Sequence, residues 1–282
     1  MHEDAHMSDR IEVRRWSLLL VMAGTLALSA CETVQTTQAG AVGVDRRQTM
    51  LLSTEQVNSG AVSAYKQTLQ GAAQKGALNR DPAQVARVRA VAQRLLPATG
   101  AFRKDALAWQ WEVNVISSPE VNAWCMPGGK IAVYTGIIEK LKLSDDELAA
   151  IIGHEVAHAL REHGRERASQ QMAQGLAVGV IGAAIGLGSV GQDLAGLVAD
   201  VTIGLPYSRE FEREADRVGV ELAARGGFDP RAAITLWQKM AQAGGGGGPP
   251  QFLSTHPSDE SRIKDLQAYS GRVMPLYQSA RR

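Results

Sequence analysis

Ser144–His163, SDDELAAIIGHEVAHALREH, is the stretch that decides the fold, and its pattern predicts one helix. Ser144 followed three residues later by Glu147 is a capping box, which satisfies free backbone N–H groups at the start of a helix. Apolar residues then recur at helical spacing: Leu148, Ile151, Ile152, Val156 and Ala159. This spacing is typical of a helix that is buried on most sides.

Within this helix stands the motif His154-Glu155-Val156-Ala157-His158. Residues four apart lie one turn above each other, so both imidazoles leave the same face and can hold one zinc ion. Glu155, next to the first imidazole, can reach a water on that metal and take its proton. A lone histidine on an apolar helix is more often a core residue, but buried His and Glu together need partners that offset their desolvation. The motif therefore predicts one Zn2+ per chain, with Glu155 as the catalytic base.

The composition limits the class of protein. The chain has 282 residues, 45% of them hydrophobic, and a net charge of +1. These values fit one globular domain with a sizeable core plus appendages, and the balanced charge gives no reason to expect nucleic acid as a partner. The two cysteines are Cys31 and Cys125, and we expect Cys125 to be partly buried filler rather than a nucleophile.

The N-terminus has the pattern of a secretory signal peptide, which we place at residues 1–30. Basic residues precede the apolar run Trp16–Leu28, which ends in Leu28-Ser29-Ala30-Cys31. This run is too short for a comfortable membrane span. Leu-Ser-Ala-Cys also resembles the lipobox of bacterial lipoproteins, whose cysteine carries the lipid. The alternative is an ordinary signal with an incidental cysteine.

We therefore expect lipidation at Cys31, followed by a lipidated tether over residues 31–53, where Gln, Ala and Thr are frequent. Glu32, directly after that cysteine, resembles the pattern of enterobacterial lipoproteins that are sorted to the outer membrane. The expected location is the periplasm, with the protein anchored by its lipid to the outer membrane.

The order of the remaining elements predicts an α+β fold. Helical spacing begins at Thr54, and Asp81-Pro82 starts a second helix with proline in its first turn. Alternation over Trp109–Ser117 predicts a half-buried strand, and Val121–Met126 and Lys130–Thr135 predict two strands joined by a Pro-Gly-Gly turn. Helices, a small antiparallel sheet and more helices then follow one another, with the sheet beside the metal helix.

A zinc peptidase needs a third protein ligand and leaves one position for water. His163 is a candidate, but a straight helix would direct it away from the face that carries His154 and His158. Glu212 and Asp216 lie four residues apart, so on a helix Asp216 can hydrogen-bond a ligand histidine while Glu212 binds the metal.

Other charged residues in the same segment, Glu210, Arg213 and Glu214, fit a solvated helix face.

The strands offer a further function. Asn122-Ala123 and Pro127-Gly128-Gly129 come shortly before the metal helix, and an edge strand there can pair with an extended peptide and present its scissile bond to the metal. An ordinary hairpin explains the same residues equally well.

Several separated motifs together resemble metallopeptidase family 48, which includes HtpX, the CAAX prenyl endopeptidases and the periplasmic BepA-like proteases. The motifs are His154-Glu155-x-x-His158, Ser208-Arg209-x-x-Glu212-x-x-x-Asp216, Asn122-Ala123 with Pro127-Gly128-Gly129, and Thr255-His256-Pro257. The resemblance covers about Asp81 to Gln267, within a zinc metallopeptidase domain that we place at residues 54–282. The lipobox start matches the BepA-like lipoprotein branch.

This resemblance implies a mostly helical zincin of the gluzincin type with endopeptidase activity. It implies zinc ligands at His154, His158 and Glu212, with Glu155 as general base and acid. By resemblance to the BepA-like branch, His256 can swing to the zinc as a fourth ligand and hold the enzyme inactive. When it swings away, His256 can instead stabilise the oxyanion. Arg209 is expected to orient Glu212 or the substrate.

Met172–Val190 is apolar enough to suggest a membrane span. A single crossing would separate His158 from Glu212 by roughly 30 Å of hydrocarbon. Each of these two ligands must instead approach zinc to about 2 Å. We therefore expect residues 170–205 to form Gly/Ala-rich helices packed over the metal helix.

The resemblance and the lipobox together predict a zinc-dependent endopeptidase of the bacterial envelope that degrades misfolded or stalled proteins. Expected partners are unfolded envelope polypeptides, the membrane through the lipid on Cys31, and the outer-membrane assembly machinery. The alternative is a periplasmic chaperone or assembly factor for outer-membrane proteins whose zinc site is held closed by His256.

Overall fold

The computed structural model describes residues 32–184, 194–243, 250–257 and 260–282. The predicted signal peptide and Cys31, the predicted lipidation site, lie outside the described residues, as does the glycine-rich loop at 244–248.

Helices dominate the described chain, and two small sheets accompany them. The strands are β1 (Glu32–Val34), β2 (Gln48–Met50), β3 (Glu112–Ile116), β4 (Ala123–Met126) and β5 (Lys130–Tyr134). The α-helices are α1 (Thr54–Gln74), α2 (Pro82–Leu95), α3 (Thr135–Lys140), α4 (Asp145–Leu160), α5 (His163–Ala184), α6 (Leu194–Ala199), α7 (Arg209–Arg225), α8 (Ala232–Ala243), α9 (Gln251–Thr255) and α10 (Glu260–Ala280). Shorter helical turns lie at Leu96–Ala101, Lys104–Ala108 and Asp200–Gly204. The predicted α+β class is confirmed.

Helix α4 carries the metal motif at the centre of the core. Ser144 accepts a hydrogen bond from the Glu147 backbone and donates its own N–H to the Glu147 side chain, which is the predicted capping box. Every residue from Glu147 to Leu160 is buried. The predicted single helix is wrong at its end, because Glu162 has φ 50° and a new helix starts beyond it. This break lets the buried Arg161 and Glu162 side chains reach their charged partners.

The larger sheet has the strand order β3-β5-β4, which makes β4 an edge strand. Strands β4 and β5 form the predicted antiparallel hairpin, with Ala123 opposite Val133. Gly128 and Gly129 both have positive φ in its turn, and a side chain at Gly129 would meet the Trp111 ring at 2.7 Å. Strand β3 runs parallel to β5, so the sheet is mixed. Its edge strand β4 packs against α4 and so borders the metal motif.

Residues 32–50, which we call the N-terminal segment, pack onto the domain. Strands β1 and β2 pair antiparallel, and Val42, Gln48 and Met50 are buried. The Gln48 side-chain amide donates to the Arg161 carbonyl and to the Glu166 carboxylate. Most of the predicted tether is therefore part of the folded domain, because its polar side chains complete buried groups rather than facing water.

Residues 194–204 belong to the segment that we predicted to pack over the metal helix, and they lie against the first helix and the edge strand. Residues 185–193 of that segment lie outside the described residues. Helix α6 packs on α1, where Val198 and Val201 join a second hydrophobic cluster with Val57 and Trp124. The turn at Asp200–Gly204 lies against β4. No helix in the described part of the chain combines the length and apolar character needed to cross a membrane.

Helices α4 and α7 meet backbone to backbone, and this contact brings the two halves of the predicted site together. A Cβ atom added at Gly219 would lie 2.9 Å from the backbone nitrogen of His154, and one added at Gly153 would lie 2.9 Å from the backbone oxygen of Gly219. Such a close approach places Glu212 and Asp216, which precede Gly219 on α7, beside the histidines of α4.

We predict that Gly219→Ala destabilises the protein by about 1–3 kcal/mol, because both helix backbones must move apart to admit the methyl group. Gly71→Ala is the matched control, since a Cβ atom at this helical position meets nothing within 4 Å. Its expected effect is a stabilisation of at most about 1 kcal/mol, from the higher helix propensity of alanine. Urea unfolding of both variants measures the difference, and equal stabilities would contradict the tight helix contact.

Candidate metal centre

Four side chains from three parts of the chain converge at one point in the core. Helix α4 supplies His154 and His158, α7 supplies Glu212, and the residue after α9 is His256. Their potential ligand atoms all lie within 4.8 Å of one another, and all four residues are buried. The predicted ligand set is therefore brought together, and His256 is part of it.

The distances between these atoms fit a tetrahedral ion. His154 Nε2 lies 3.2 Å from both His158 Nε2 and His256 Nδ1. Glu212 Oε1 lies 2.9 Å from His256 Nδ1 and 3.4 Å from His158 Nε2. Ligands on a tetrahedral zinc at about 2.0–2.1 Å are roughly 3.3 Å apart, so the observed spacings suit this ion.

Asp216 fixes which nitrogen of His154 faces the centre. Asp216 Oδ1 lies 3.0 Å from His154 Nδ1, and Arg262 donates to both oxygens of the same carboxylate. Burial acts to raise the pKa of Asp216, but Arg262 and His154 outweigh it and hold the pKa below its usual value. An ionised carboxylate only accepts, so we assign the proton to Nδ1, which leaves the Nε2 lone pair for a metal.

The chemistry of the donor set also indicates a cation. Nitrogen lone pairs of His154 and His158 and a carboxylate oxygen of Glu212 face one another in a site closed to water, an arrangement that costs energy unless a positive charge lies between them. Glu155 Oε1 is buried without a hydrogen bond. Burial also holds the pKa of His158 well below its usual value, so this imidazole is neutral and free to act as a ligand.

The side chain of Glu155 lies beside this centre, on the side of α4 that faces the edge strand. Its Oε1 atom is 3.4 Å from His256 Nε2, and the backbone of Cys125 in β4 contributes a hydrogen bond to its carboxylate. Burial raises the pKa of Glu155 despite the opposing charges of His256 and His154. A carboxyl group with a raised pKa next to a metal position is suited to accepting and returning a proton near neutral pH.

The residues predicted to bind a substrate strand, Asn122 and Ala123, lie at the start of the edge strand β4, and both are buried. The Ala123 N–H is bonded by the side chain of Asn122, and the Val121 carbonyl accepts from the Phe252 N–H. The segment that carries His256 therefore lies along the strand edge where a peptide was expected to pair. The role of Asn122 and Ala123 stays a prediction.

Sequence reasoning missed two residues that contact the ligands. Arg262, from α10, places Nη1 2.9 Å from Glu212 Oε2 and is itself buried. Tyr207 stacks on His158 with ring centroids 4.1 Å apart and also stacks on His256. Neither has a metal-binding spacing that could have revealed it. Arg209, which we expected to orient Glu212 or the substrate, is exposed on the first turn of α7.

A comparison with protein families decides which family carries this centre. Residues 82–270 match the profile of peptidase family M48. The chain belongs to family M48. This membership confirms the predicted resemblance to metallopeptidase family 48.

Relatives in this family come from mitochondria and from bacteria. The mitochondrial metalloendopeptidase OMA1 of Arabidopsis thaliana is 41% identical over 159 residues, which are 55% of this chain and 31% of the relative. OMA1 of Schizosaccharomyces pombe is 37% identical over 161 residues, 57% of this chain and 47% of the relative. The β-barrel assembly-enhancing protease of Escherichia coli K12 is 29% identical over 222 residues, 75% of this chain and 43% of the relative. The matches thus span less than half the length of these relatives.

Proposed function

We propose that this M48 protein is a zinc-dependent endopeptidase of the bacterial envelope that degrades misfolded or stalled polypeptides. The observation that carries the proposal is the convergence of His154, His158 and Glu212 with the Glu155 carboxylate between their centre and an edge strand. Three protein ligands and an adjacent base are the arrangement that zinc peptidases use for hydrolysis.

Each side chain has a defined task in this reaction. Zinc, when bound, supplies Lewis-acid polarisation of the scissile carbonyl and lowers the pKa of a coordinated water to about 7. His154, His158 and Glu212 would hold it, and Asp216 keeps His154 in the required tautomer. Glu155 accepts the proton of the attacking water and then donates it to the leaving amine.

The position of the edge strand supports an extended, unfolded substrate. A peptide that adds to the edge of β4 would pair through its backbone, which selects an extended chain rather than particular side chains and excludes folded segments. The backbone of Cys125 in β4 already contacts Glu155, so a strand on this edge lies next to the base. Misfolded or stalled polypeptides offer such strands.

Envelope location is supported by the N-terminal pattern and by one relative. Leu28-Ser29-Ala30-Cys31 resembles a lipobox, and the Escherichia coli relative is named for β-barrel assembly. We infer a periplasmic protein attached to the outer membrane through lipid on Cys31, with the assembly machinery as a partner. Membrane fractionation of the wild type against Cys31→Ala tests this, and an unchanged distribution would contradict it.

A second candidate function is favoured by the position of His256. This side chain fills the fourth position of the centre, which a peptidase needs for water. A centre closed in this way supports a chaperone or assembly factor for outer-membrane proteins that binds its clients without cutting them.

Metal removal tests the peptidase proposal directly. Purified protein loaded with one Zn2+ per chain is expected to cleave unfolded casein, and dialysis against a chelator should abolish the cleavage because both the electrophile and the activated water are lost. Adding back one equivalent of zinc should restore it. Cleavage that persists in protein shown to be metal-free would exclude the proposed mechanism.

A further inference from the structure

A buried chain of hydrogen bonds leads from His158 to the N-terminal segment, on the side away from the metal position. The Nδ1 atoms of His158 and His163 are 2.9 Å apart, and His163 Nε2 lies 2.9 Å from Glu214 Oε2. Arg46, from the N-terminal segment, places Nε 2.7 Å from Glu214 Oε1. The two histidines and Glu214 are buried, so Glu214 is not part of a solvated helix face as predicted.

The break after α4 is what places His163 behind His158. On an unbroken helix, a residue five positions later points roughly 140° away. The left-handed conformation of Glu162 turns the chain, and the His163 ring then stacks on Phe211 with centroids 4.4 Å apart and planes 5° apart. This stacking holds the imidazole with one edge toward His158 and the other toward Glu214.

The charges around Glu214 decide where the protons lie. Arg46 Nε lies 2.7 Å from Glu214 Oε1 and Arg161 Nε lies 3.0 Å from Glu214 Oε2, so two guanidinium groups donate to this carboxyl group, which accepts as an ionised carboxylate. The ionised carboxylate only accepts, so His163 carries its proton on Nε2 and offers a lone pair at Nδ1. His158 then donates from Nδ1, which directs its Nε2 lone pair to the metal position.

The N-terminal segment supports this chain at its far end. Arg46 lies between two carboxylates, because it also donates to both oxygens of Glu166 at 2.8 and 2.9 Å. Gln48 donates to the same Glu166 at 2.6 Å. Without the Arg46 charge, Glu214 and Glu166 would lose a shared cation, and Arg161 would be left to hold Glu214.

We propose that His163 and Glu214 are positioning residues that hold His158 in its metal-binding tautomer, and that Arg46 of the N-terminal segment completes this support. The proposal rests on the proposed zinc site. His154 has its carboxylate directly at Nδ1, whereas His158 reaches one through a second imidazole. Outer partners of metal-bound histidines typically contribute about 10–100-fold to metal affinity. Metal retention is therefore coupled to the docking of the N-terminal segment.

Zinc affinity, measured by competition with a chromophoric chelator, tests this coupling. His163→Phe keeps the stacking on Phe211 but offers no acceptor, so affinity should fall by about 10–100-fold. His163→Gln offers a carbonyl oxygen to His158 and should retain more of the affinity. Arg46→Gln should show a smaller loss than His163→Phe. Arg47→Gln is the matched control for Arg46→Gln and should bind zinc like the wild type. Arg47 is exposed and donates to the Thr33 carbonyl, which is not part of the hydrogen bonds that lead to His158.

A second measurement reports the tautomer itself. Long-range 1H–15N NMR of the metal-free protein should show His158 protonated at Nδ1 in the wild type and lose this preference in His163→Phe. Folded His163→Phe protein with wild-type zinc affinity and an unchanged His158 tautomer would overturn the inference. Asp216→Asn serves as positive control and should lose affinity. A wild type that binds no zinc would instead refute the proposed function, so the two failures are distinguishable.

Discussion

Glu155→Gln should lower the rate of casein cleavage by about 10²–10⁴-fold while zinc stays bound, which is the range that general base catalysis contributes. Glutamine has nearly the same shape, but its amide cannot accept the proton of the attacking water. The ligand atoms of His154, His158 and Glu212 are not altered by this change. Loss of activity without loss of metal therefore isolates the proton transfer.

The measurement pairs initial rates of casein cleavage with the zinc content of the same sample. Glu139→Gln makes the same chemical change at an exposed position near the end of α3 and should cleave at the wild-type rate. Glu155→Gln protein that holds one zinc and still cleaves at the wild-type rate would remove Glu155 from the reaction.

The same variant separates the two candidate functions in cells. If Glu155→Gln supports assembly of outer-membrane proteins as fully as the wild type does, binding of clients is the primary role. If assembly fails together with proteolysis, cleavage is required. The structural reason is that this substitution leaves the edge of β4 and the metal ligands in place, so client binding and hydrolysis are affected unequally.

Local patterns in the sequence predicted the parts of the site that depend on one helix at a time. The pairs His154–His158 and Glu212–Asp216 are each four residues apart, and helical geometry alone places such pairs on one face. Their meeting depends on Gly153 against Gly219, a contact between two backbones that no periodicity reveals. The resemblance to a known family supplied that step.

Buried charge was the main feature that sequence reasoning could not predict. Glu214 and Arg262 are charged residues of types that usually lie on a solvated surface. They are buried because their charged partners come from segments far away in sequence. Arg46 likewise lies in a segment whose polar composition predicts a tether. The position of His163 depends on one left-handed residue, Glu162, which the continuous helical pattern of the stretch conceals.

His256→Ala should raise the rate of casein cleavage by about tenfold or more, because it removes the side chain that closes the metal centre. His256 Nδ1 lies 3.2 Å from His154 Nε2 and 2.9 Å from Glu212 Oε1, so it takes the fourth vertex of the tetrahedron. If the open form is populated at about 1–10%, opening every molecule raises the rate by about 10–100-fold.

Cobalt substitution gives a readout of the vertex that is independent of cleavage. In the Co2+ protein, exchange of the His256 nitrogen for water should shift the visible absorption bands, and the shift should be absent in Arg47→Gln. The alternative role of His256, stabilisation of the oxyanion, predicts the opposite sign. Removal of one such donor costs about 10²–10³-fold in kcat.

The sign of the His256→Ala effect on the cleavage rate therefore decides between a blocking ligand and a catalytic donor. The double variant His256→Ala with Glu155→Gln shows whether the increased cleavage depends on the base Glu155. Opening the vertex creates a place for water but no base to deprotonate it, so the double variant should be as inactive as Glu155→Gln alone. The segment around Phe252 still bonds to the Val121 carbonyl in both variants, which limits the gain to what the vertex controls. Casein cleavage by the double variant above the Glu155→Gln level would contradict a single zinc-dependent reaction at this centre.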